Sequence, residues 1–348
     1  MTTQDDIARK LNISRTTVSR ALQGKNVSEE TRKKVLALAG ELDYSRNLVA
    51  TGLATKAVKK VYAFIVATID EGYALQMIEG INEVADIWRE YNFEIDIILT
   101  DISIGFYQDQ EQLKQFYDVM EKNDASGIIF SALSSNNEKI VEEECTKRKI
   151  SLMTIDMIYR SDLLCHVGPD YFELGTYSAA FISQLLGGKG KILTISYDEG
   201  YLIGKERMRG FFSKIASKEN FEVVNYDIHE MHKQLYWDIL DKNLTKENPQ
   251  AIYAPYHVEY IAEYLEKNKV PVDRYVLIAN GVNANIESYL YSGMINGIVS
   301  AKPYLLGAVV ANNFFKYFYR RSEMKKGNID VGVDIFIAEN YQRHNLLF

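Results

Sequence analysis

Apolar residues recur at helical spacing in three short segments at the start of the chain. The members of these segments are Ile7, Ala8, Leu11, Val18, Ala21, Leu22, Val35, Leu36, Ala39 and Leu42. A hydroxyl residue precedes each segment, at Thr3, Ser14 and Ser28, and hydroxyl side chains cap helix N-termini well. The pattern predicts three short helices that close around one small apolar core.

From Val61 onward, short apolar runs alternate with longer segments of helical periodicity. Residues 61–67 predict a strand and residues 73–88 a helix, and the same alternation resumes after residue 165. Such βαβ alternation is typical of open parallel sheets, whose ligands lie beyond the carboxyl ends of the strands. We therefore expect a body of two α/β lobes with a ligand cleft between them.

The polar face of the second predicted helix carries hydroxyl, amide and basic side chains and no carboxylate. These side chains are Ser14, Arg15, Thr16, Thr17, Ser19, Arg20 and Gln23. Arginine can donate two hydrogen bonds to a guanine edge, while Ser and Thr reach phosphates or a thymine methyl group. The face predicts a DNA-binding helix-turn-helix. The alternative is a helical cap with a solvated basic face.

The charge distribution separates the start of the chain from the rest. Residues 1–60 hold 12 Lys and Arg against 6 Asp and Glu, whereas the remainder holds 28 against 41, within a formal net charge of -7. Neutralisation of phosphates supplies most non-specific affinity for DNA. A basic segment on an acidic body therefore favours DNA contact at one end of the chain.

Residues 2–56 resemble the headpiece and hinge of the lactose repressor (LacI/GalR) family of bacterial transcription regulators. The match runs through DIA, TVSR and VSEETRKKV, and it closes on an N-x-x-A-x-x-L pattern formed by Asn47, Ala50 and Leu53. The resemblance implies that three side chains face bases, namely Arg15, Thr16 and Arg20. It implies that Thr17, Ser19 and Gln23 help to hold the DNA backbone, and Ser14 is a further candidate DNA contact.

The segment 48–55 is long enough for barely two helical turns, and Gly52 weakens such a helix by about 1 kcal/mol relative to alanine. In the family, two hinge helices pair across a homodimer in the minor groove, and the leucine that matches Leu53 wedges between base pairs, which kinks the duplex. The alternative is a flexible linker. Arg46 stands where the family usually has proline, so entry into the hinge is less rigid here.

The rest of the chain resembles the effector domain of the same family, which has a type I periplasmic-binding-protein-like fold. The matching segments are VGPDYFELG, KGKILTISY, KERMRGF, VPVDRYVLIANG and IVSAKP. The expected domains are a small all-α headpiece over 1–46, a hinge and linker over 47–60, and a two-lobed α/β effector and dimerisation domain over 61–348. Chain crossings near 160, 293 and 322 would place 61–159 and 294–321 in the first lobe, and 160–293 and 322–348 in the second.

The family's cleft binds a small effector, often a sugar. The residues that match effector contacts are Glu71, Tyr73, Ser131, Asp156, Arg207, Tyr256 and Asn280. A guanidinium such as that of Arg207 suits vicinal hydroxyls or a carboxylate, and a carboxylate at a strand end such as Asp156 can accept paired hydroxyls. The alternatives are a solvated helix face for Arg207, a turn cap for Asp156, and core or surface positions for the tyrosines.

Several positions depart from the family pattern. Tyr256 and His257 stand where the family has Asn-Asp, Asn280 replaces an aspartate, and the loop around Glu71 and Tyr73 is short and lacks the common Asn-Pro pair. These changes predict an effector unlike the common hexoses, or no free-sugar effector at all.

The remaining reactive residues do not assemble an enzyme or a metal site. The glycine-rich segment 187–191 lacks the spacing of a phosphate-binding loop, and no G-x-S-x-G element is present. His229 and His232 have no third metal ligand in their pattern, and Cys145 and Cys165 are expected to be buried, reduced thiols. No apolar stretch approaches the ~18 residues of a membrane span. We expect a cytoplasmic protein that is not an enzyme and takes no metal or cofactor.

The sequence thus predicts a homodimeric repressor of a carbohydrate-utilisation operon. It would bind a pseudo-palindromic, double-stranded operator and respond to a small-molecule effector in the interlobe cleft. The alternatives are control by a protein corepressor or by a non-sugar metabolite, or a cytoplasmic small-molecule binding protein without a regulatory role.

Overall fold

The computed structural model describes most of the chain. The described residues are 3–22, 27–42, 58–67, 71–102, 108–157, 159, 165–197, 202–230, 232–320 and 322–344. The predicted contacts at Gln23, Asn47, Ala50 and Leu53 lie outside these residues. No helix among the described residues is both long and apolar enough to span a bilayer.

Three helices form the N-terminal unit: α1 (Gln4–Leu11), α2 (Arg15–Leu22) and α3 (Glu29–Glu41). The predicted caps are present, since the backbone N–H of Asp6 donates to Thr3 Oγ1 at 3.3 Å and that of Thr17 donates to Ser14 Oγ at 3.0 Å. Ile7, Val18 and Val35 are fully buried at the centre of the unit. The three predicted helices are therefore confirmed, but Leu36, which the pattern assigned to the core, is 47% exposed.

The first lobe contains a six-stranded parallel sheet in the order β11-β5-β4-β3-β1-β2. Its strands are β1 (Lys59–Ala67), β2 (Phe93–Asp101), β3 (Ala125–Phe130), β4 (Ser151–Ile155), β5 (Cys165–Val167) and β11 (Gly327–Ile329). Its helices are α4 (Glu71–Trp88), α5 (Asp109–Lys122), α6 (Ser135–Arg148) and α12 (Pro303–Phe315). Short 3₁₀ (Arg89–Tyr91) and π-helical (Lys316–Arg320) segments extend α4 and α12.

The second lobe contains a six-stranded sheet in the order β12-β10-β9-β8-β6-β7, in which the edge strand β12 alone is antiparallel to its neighbour. Its strands are β6 (Gly190–Tyr197), β7 (Phe221–Ile228), β8 (Ala251–Tyr253), β9 (Val276–Asn280), β10 (Gly297–Ala301) and β12 (Val333–Phe336). Its helices are α7 (Tyr171–Leu185), α8 (Leu202–Ala216), α9 (Lys233–Glu247), α10 (Val258–Lys267), α11 (Ala284–Tyr291) and α13 (Ala338–His344).

The predicted lobe boundaries are wrong by several residues. β5 and β11 belong to the first sheet and β10 belongs to the second, so the chain crosses between β5 and α7, between β10 and α12, and between β11 and β12. The crossings lie at about 168–170, 302 and 330–332 instead of near 160, 293 and 322. Three-residue strands such as β5 and β11 carry too little periodicity to be recognised in a sequence.

His166 is buried on β5, immediately before the first crossing. Its Nδ1 lies 3.0 Å from Thr154 Oγ1, and a Cβ on Gly168 would lie 2.1 Å from its Nε2, so the ring is closely enclosed. Burial disfavours the charged ring and lowers the pKa of His166 from 6.5 to about 4. The imidazole is therefore neutral in the folded protein at neutral pH. Cys145 and Cys165 are free and buried, as predicted.

The depressed pKa of His166 predicts an acid-sensitive stability. Between pH 6.5 and about 4 the unfolded chain takes up a proton that the folded protein does not, so stability is complete above this range and falls as the pH is lowered through it. From pH 7 to pH 5 the free energy of unfolding should fall by about 2 kcal/mol through this residue. Urea unfolding at both pH values would measure the loss, and His166→Gln should reduce it by that amount. Parallel pH profiles of the two proteins would contradict the prediction.

Candidate functional site

The face of α2 that the sequence marks as chemically active is turned to solvent. Ser14, Arg15, Thr16 and Arg20 are exposed, whereas Val18 and Ala21 of the same helix are buried in the headpiece core. Arg15 approaches Asp5 only to 3.7 Å, and its side chain keeps 69% of its exposure. Thr17 and Ser19 are half-buried, and the Thr17 hydroxyl lies 2.8 Å from Ser14 Oγ. The side chains of Arg15, Thr16 and Arg20 are therefore accessible from solvent.

A second polar cluster lies at the boundary between the lobes and centres on Asp156. This residue follows β4 with a left-handed φ of 65°, and its backbone N–H donates to the carbonyl oxygen of Val167 at 2.9 Å. The hydroxyl of Tyr73 donates to Asp156 Oδ1 at 2.6 Å, and the hydroxyl of Tyr171 donates to the same oxygen. The two hydroxyl oxygens are 3.3 Å apart. One carboxylate oxygen therefore joins α4 and β4 of the first lobe to α7 of the second.

Arg207 enters the same region from α8. Only 7% of it is exposed, and its Nη1 donates to the carbonyl oxygen of Pro255 at 3.0 Å. Its guanidinium lies between two rings, with Cζ 5.2 Å from the centroid of Tyr171 and 5.6 Å from that of Tyr256. Its buried Nε makes no hydrogen bond to the described part of the chain. Arg207 is therefore a buried residue beside the Asp156 cluster and not part of a solvated helix face.

Glycines bring Arg207 into this position. A Cβ on Gly175 of α7 would lie 1.8 Å from the carbonyl oxygen of Arg207, and one on Gly210 of α8 would lie 1.9 Å from that of Phe172. The backbones of the two helices can touch only because both residues lack side chains. A Cβ on Gly204 would lie 2.7 Å from the ring of Tyr256, so this glycine makes room for the ring against α8.

Burial dominates the electrostatics of the cluster. It raises the pKa of Asp156, while hydrogen bonds from Tyr171 and Tyr73 and the charge of Arg207 act in the opposite direction. Burial and the nearby carboxylate raise the pKa values of Tyr73 and Tyr171 well above 10, so both hydroxyls keep their protons and act as donors. Paired donors, an acceptor and a guanidinium suit a polyhydroxylated or oxygen-rich ligand.

Asn280 and Ser131, two other predicted effector residues, are hydrogen-bonded to residues outside the Asp156 cluster. The amide of Asn280 is engaged within the second lobe: it accepts from Tyr253 Oη at 2.7 Å and donates to Ser178 Oγ at 2.9 Å and to the carbonyl oxygen of Val299 at 3.3 Å. Ser131 is buried after β3, and its carbonyl oxygen accepts from Gln112 Nε2 at 2.9 Å. Glu71 begins α4.

Sequence reasoning missed Tyr171. It is the first residue of α7, directly after the Asp170 cap whose carboxylate accepts from the backbone N–H groups of Phe172 and Glu173. The signal was present in VGPDYFELG, where a helix start follows a strand end. Among the described residues, no group of three or more His, Cys, Asp and Glu side chains could hold a metal ion.

The buried hydroxyl of Tyr171 should contribute measurably to stability. Tyr171→Phe removes one of two donors to a buried carboxylate, so the free energy of unfolding should fall by about 1.5–3 kcal/mol. The matched control is Tyr177→Phe on the same helix, because Tyr177 is 40% exposed and reaches Glu173 only at 3.5 Å. Urea unfolding of the three proteins would test this, and equal losses in the two variants would show that the Asp156 bond is unimportant.

Both the N-terminal helical unit and the two-lobed body match known protein families. Residues 62–318 match the family model for the periplasmic binding protein domain, and residues 3–47 match that for bacterial regulatory proteins of the lacI family. Catabolite control protein A of Streptococcus mutans is 34% identical over 126 residues, which are 36% of this chain and 35% of that protein. The same protein of Priestia megaterium is 32% identical over 169 residues, 48% of this chain and 47% of its own length. The matched segments thus span between a third and a half of these relatives.

Solved structures resemble the two-lobed body. A solute binding protein of an ABC transporter from Burkholderia graminis, in complex with D-arabinose, superposes with a TM-score of 0.71 at 16% identity and covers 82% of this chain and 98% of its own. A sugar-binding protein of a sugar ABC transporter from Bacillus halodurans gives a TM-score of 0.71 at 15% identity, with 82% and 99% covered. These structures confirm the predicted two-lobed α/β fold.

Proposed function

We propose that the chain, which belongs to the periplasmic binding protein domain family and whose residues 3–47 match the lacI family model, is a sequence-specific DNA-binding repressor controlled by a small molecule. The observation that carries the DNA-binding part is the exposed face of α2, with Arg15, Thr16 and Arg20 free of the headpiece core. Helix α2 would lie in the major groove, where arginine reads guanine and the hydroxyls contact thymine methyl groups or phosphates. Gln23, Asn47, Ala50 and Leu53 complete the proposed DNA contacts.

The proposed effector site is the cluster around Asp156 and Arg207. The effector would be a sugar or a sugar derivative, because its hydroxyls could replace those of Tyr73 and Tyr171 on the carboxylate and accept from Arg207. Tyr256 would stack on its ring. We also propose that Glu71, Ser131 and Asn280 contribute to effector binding.

Regulation would arise from the relation between the lobes. An effector can shift operator affinity only if it binds the DNA-competent and DNA-incompetent states with different affinities. The Asp156 cluster joins both lobes, so a ligand there would favour one interlobe arrangement. We further propose that the protein acts in the cytoplasm as a homodimer on a pseudo-palindromic operator, and that it acts by binding and not by catalysis.

A single-residue comparison tests the proposed base contact. Arg20→Ala should weaken binding to DNA from the protein's own upstream region by about tenfold or more, because a bidentate guanine contact is worth about 1–3 kcal/mol. The control is Arg9→Ala, since Arg9 is an exposed α1 residue paired with Asp6 at 2.8 Å and lies off the proposed reading face. Fluorescence anisotropy against upstream and random DNA, in a salt series, would measure both. If the parent protein bound upstream and random DNA with equal affinity, the proposed sequence-specific binding would be contradicted.

The effector role is tested on the same DNA. A panel of sugars and sugar phosphates should contain a compound that changes operator affinity, and Arg207→Ala should abolish that response while it spares DNA binding in the compound's absence. Arg209→Ala is the matched control, because Arg209 lies on the same helix with its side chain 66% exposed. A normal response in Arg207→Ala would exclude Arg207 from the effector site.

A further inference from the structure

A cavity of about 440 Å³ lies beside the interlobe crossings and adjoins the Asp156 cluster at Tyr73. The start of α4, the segment from the end of β10 into α12, the strand β12 and the helix α13 surround it. Four aromatic side chains contribute to its walls, namely Tyr73, Tyr304, Phe336 and Tyr341. A space of this size with mostly apolar walls is typical of small-molecule sites.

This cavity differs from the proposed effector site in its residues. Asp156, Tyr171, Arg207 and Tyr256 do not line it, and Tyr73 is the member that the two regions share. The hydroxyl of Tyr73 donates to Asp156 Oδ1 at 2.6 Å, so Tyr73 contributes its apolar ring to the cavity wall. A molecule in this space would therefore contact apolar and aromatic surface without touching the guanidinium.

The charges around the cavity favour a cation. Lys302 Nζ and Asp334 Oδ1 both line it and form an ion pair at 2.9 Å, so their charges compensate each other. Glu79 also lines the cavity, at its exposed rim, so the described lining carries two carboxylates and one ammonium group. Aromatic ring faces attract ammonium groups through their quadrupoles. An anionic ligand would meet the opposite field.

We propose that this cavity is a second small-molecule site, which takes an organic amine with an apolar body. The body packs among the aromatic and aliphatic side chains, and the ammonium group lies toward Glu79. Because Tyr73 is a wall of the cavity and a donor to Asp156, an occupant bears directly on the interlobe cluster. The site adds to the proposed effector cleft and does not depend on it.

Three probes of one shape and different charge test the ligand class. Phenethylamine, 2-phenylethanol and phenylacetate are titrated into the full chain and followed by ligand-observed NMR. Phenethylamine should bind saturably, 2-phenylethanol about two- to fivefold more weakly, and phenylacetate most weakly. Equal or tighter binding of the alcohol or the acid would overturn the assignment of an amine, and no saturable binding of any probe would overturn the site.

Two variants with controls locate the binding. Val282 lines the cavity, so Val282→Trp should fill it and weaken phenethylamine binding by about tenfold or more. Val272→Trp, at a 45% exposed position of the same lobe that does not line the cavity, should leave binding unchanged. Glu79→Gln should weaken binding of the amine by about two- to fivefold without affecting the alcohol.

The outcomes separate the possible occupants. Undiminished amine binding in Val282→Trp would place the probe elsewhere and reject the site. If no probe binds and Val282→Trp dissociates a dimer of the parent protein, the space is covered by a second copy of the chain, which also rejects the proposal. The titrations need neither DNA nor a sugar, so their failure leaves the proposed function standing.

Discussion

A carboxylate that is withdrawn from water must recover its hydrogen bonds from the protein, and Asp156 does so through two tyrosine hydroxyls. One hydroxyl comes from α4 of the first lobe and the other from the first turn of α7 in the second. The hydrogen bonds that both tyrosines donate to Asp156 Oδ1 therefore help to fix the position of the second lobe against the first. Arg207 adds a buried positive charge, which the rings of Tyr171 and Tyr256 and the carbonyl oxygen of Pro255 accommodate.

This enclosure changes how a ligand would bind. In an open cleft the polar side chains are hydrated, whereas here Tyr73 and Tyr171 are hydrogen-bonded to Asp156. A ligand must replace tyrosine hydroxyls on Asp156, so its affinity is reduced by the stability of the contacts that it displaces. Tyr256 and His257 replace the Asn-Asp of the family pattern, and neither supplies a carboxylate to this region. Tyr256 lies beside the Arg207 guanidinium, and His257 stacks on Tyr260 with ring centroids 4.5 Å apart.

Local features of the sequence predicted the elements well, and the tertiary features less well. Thr3, Ser14 and Ser28 cap helices as expected, because a cap depends on residues only a few positions away. The effector-domain crossings were misplaced, because β5 and β11 are held by their neighbours in the sheet and not by their own pattern. Tyr171 was missed for a related reason, since its role depends on the left-handed backbone of Asp156, a residue 15 positions earlier. The sequence also contained no sign that the amide of Asn280, which stays a proposed effector residue, is engaged by Tyr253, Ser178 and Val299.

The three chain crossings also determine the order in which the molecule can be completed during synthesis. The headpiece core uses residues that all lie before residue 43, so it can close while the ribosome is still producing the body. The first sheet instead waits for β11 at residues 327–329, and the second for β10 and β12. Until then β5 and β9 have open edges, which are sites of unwanted strand pairing. A nascent chain that ends before residue 327 would therefore hold a complete N-terminal helical unit on an unfinished body, so residues 327–336 must be made before the sheets of the two lobes can be completed.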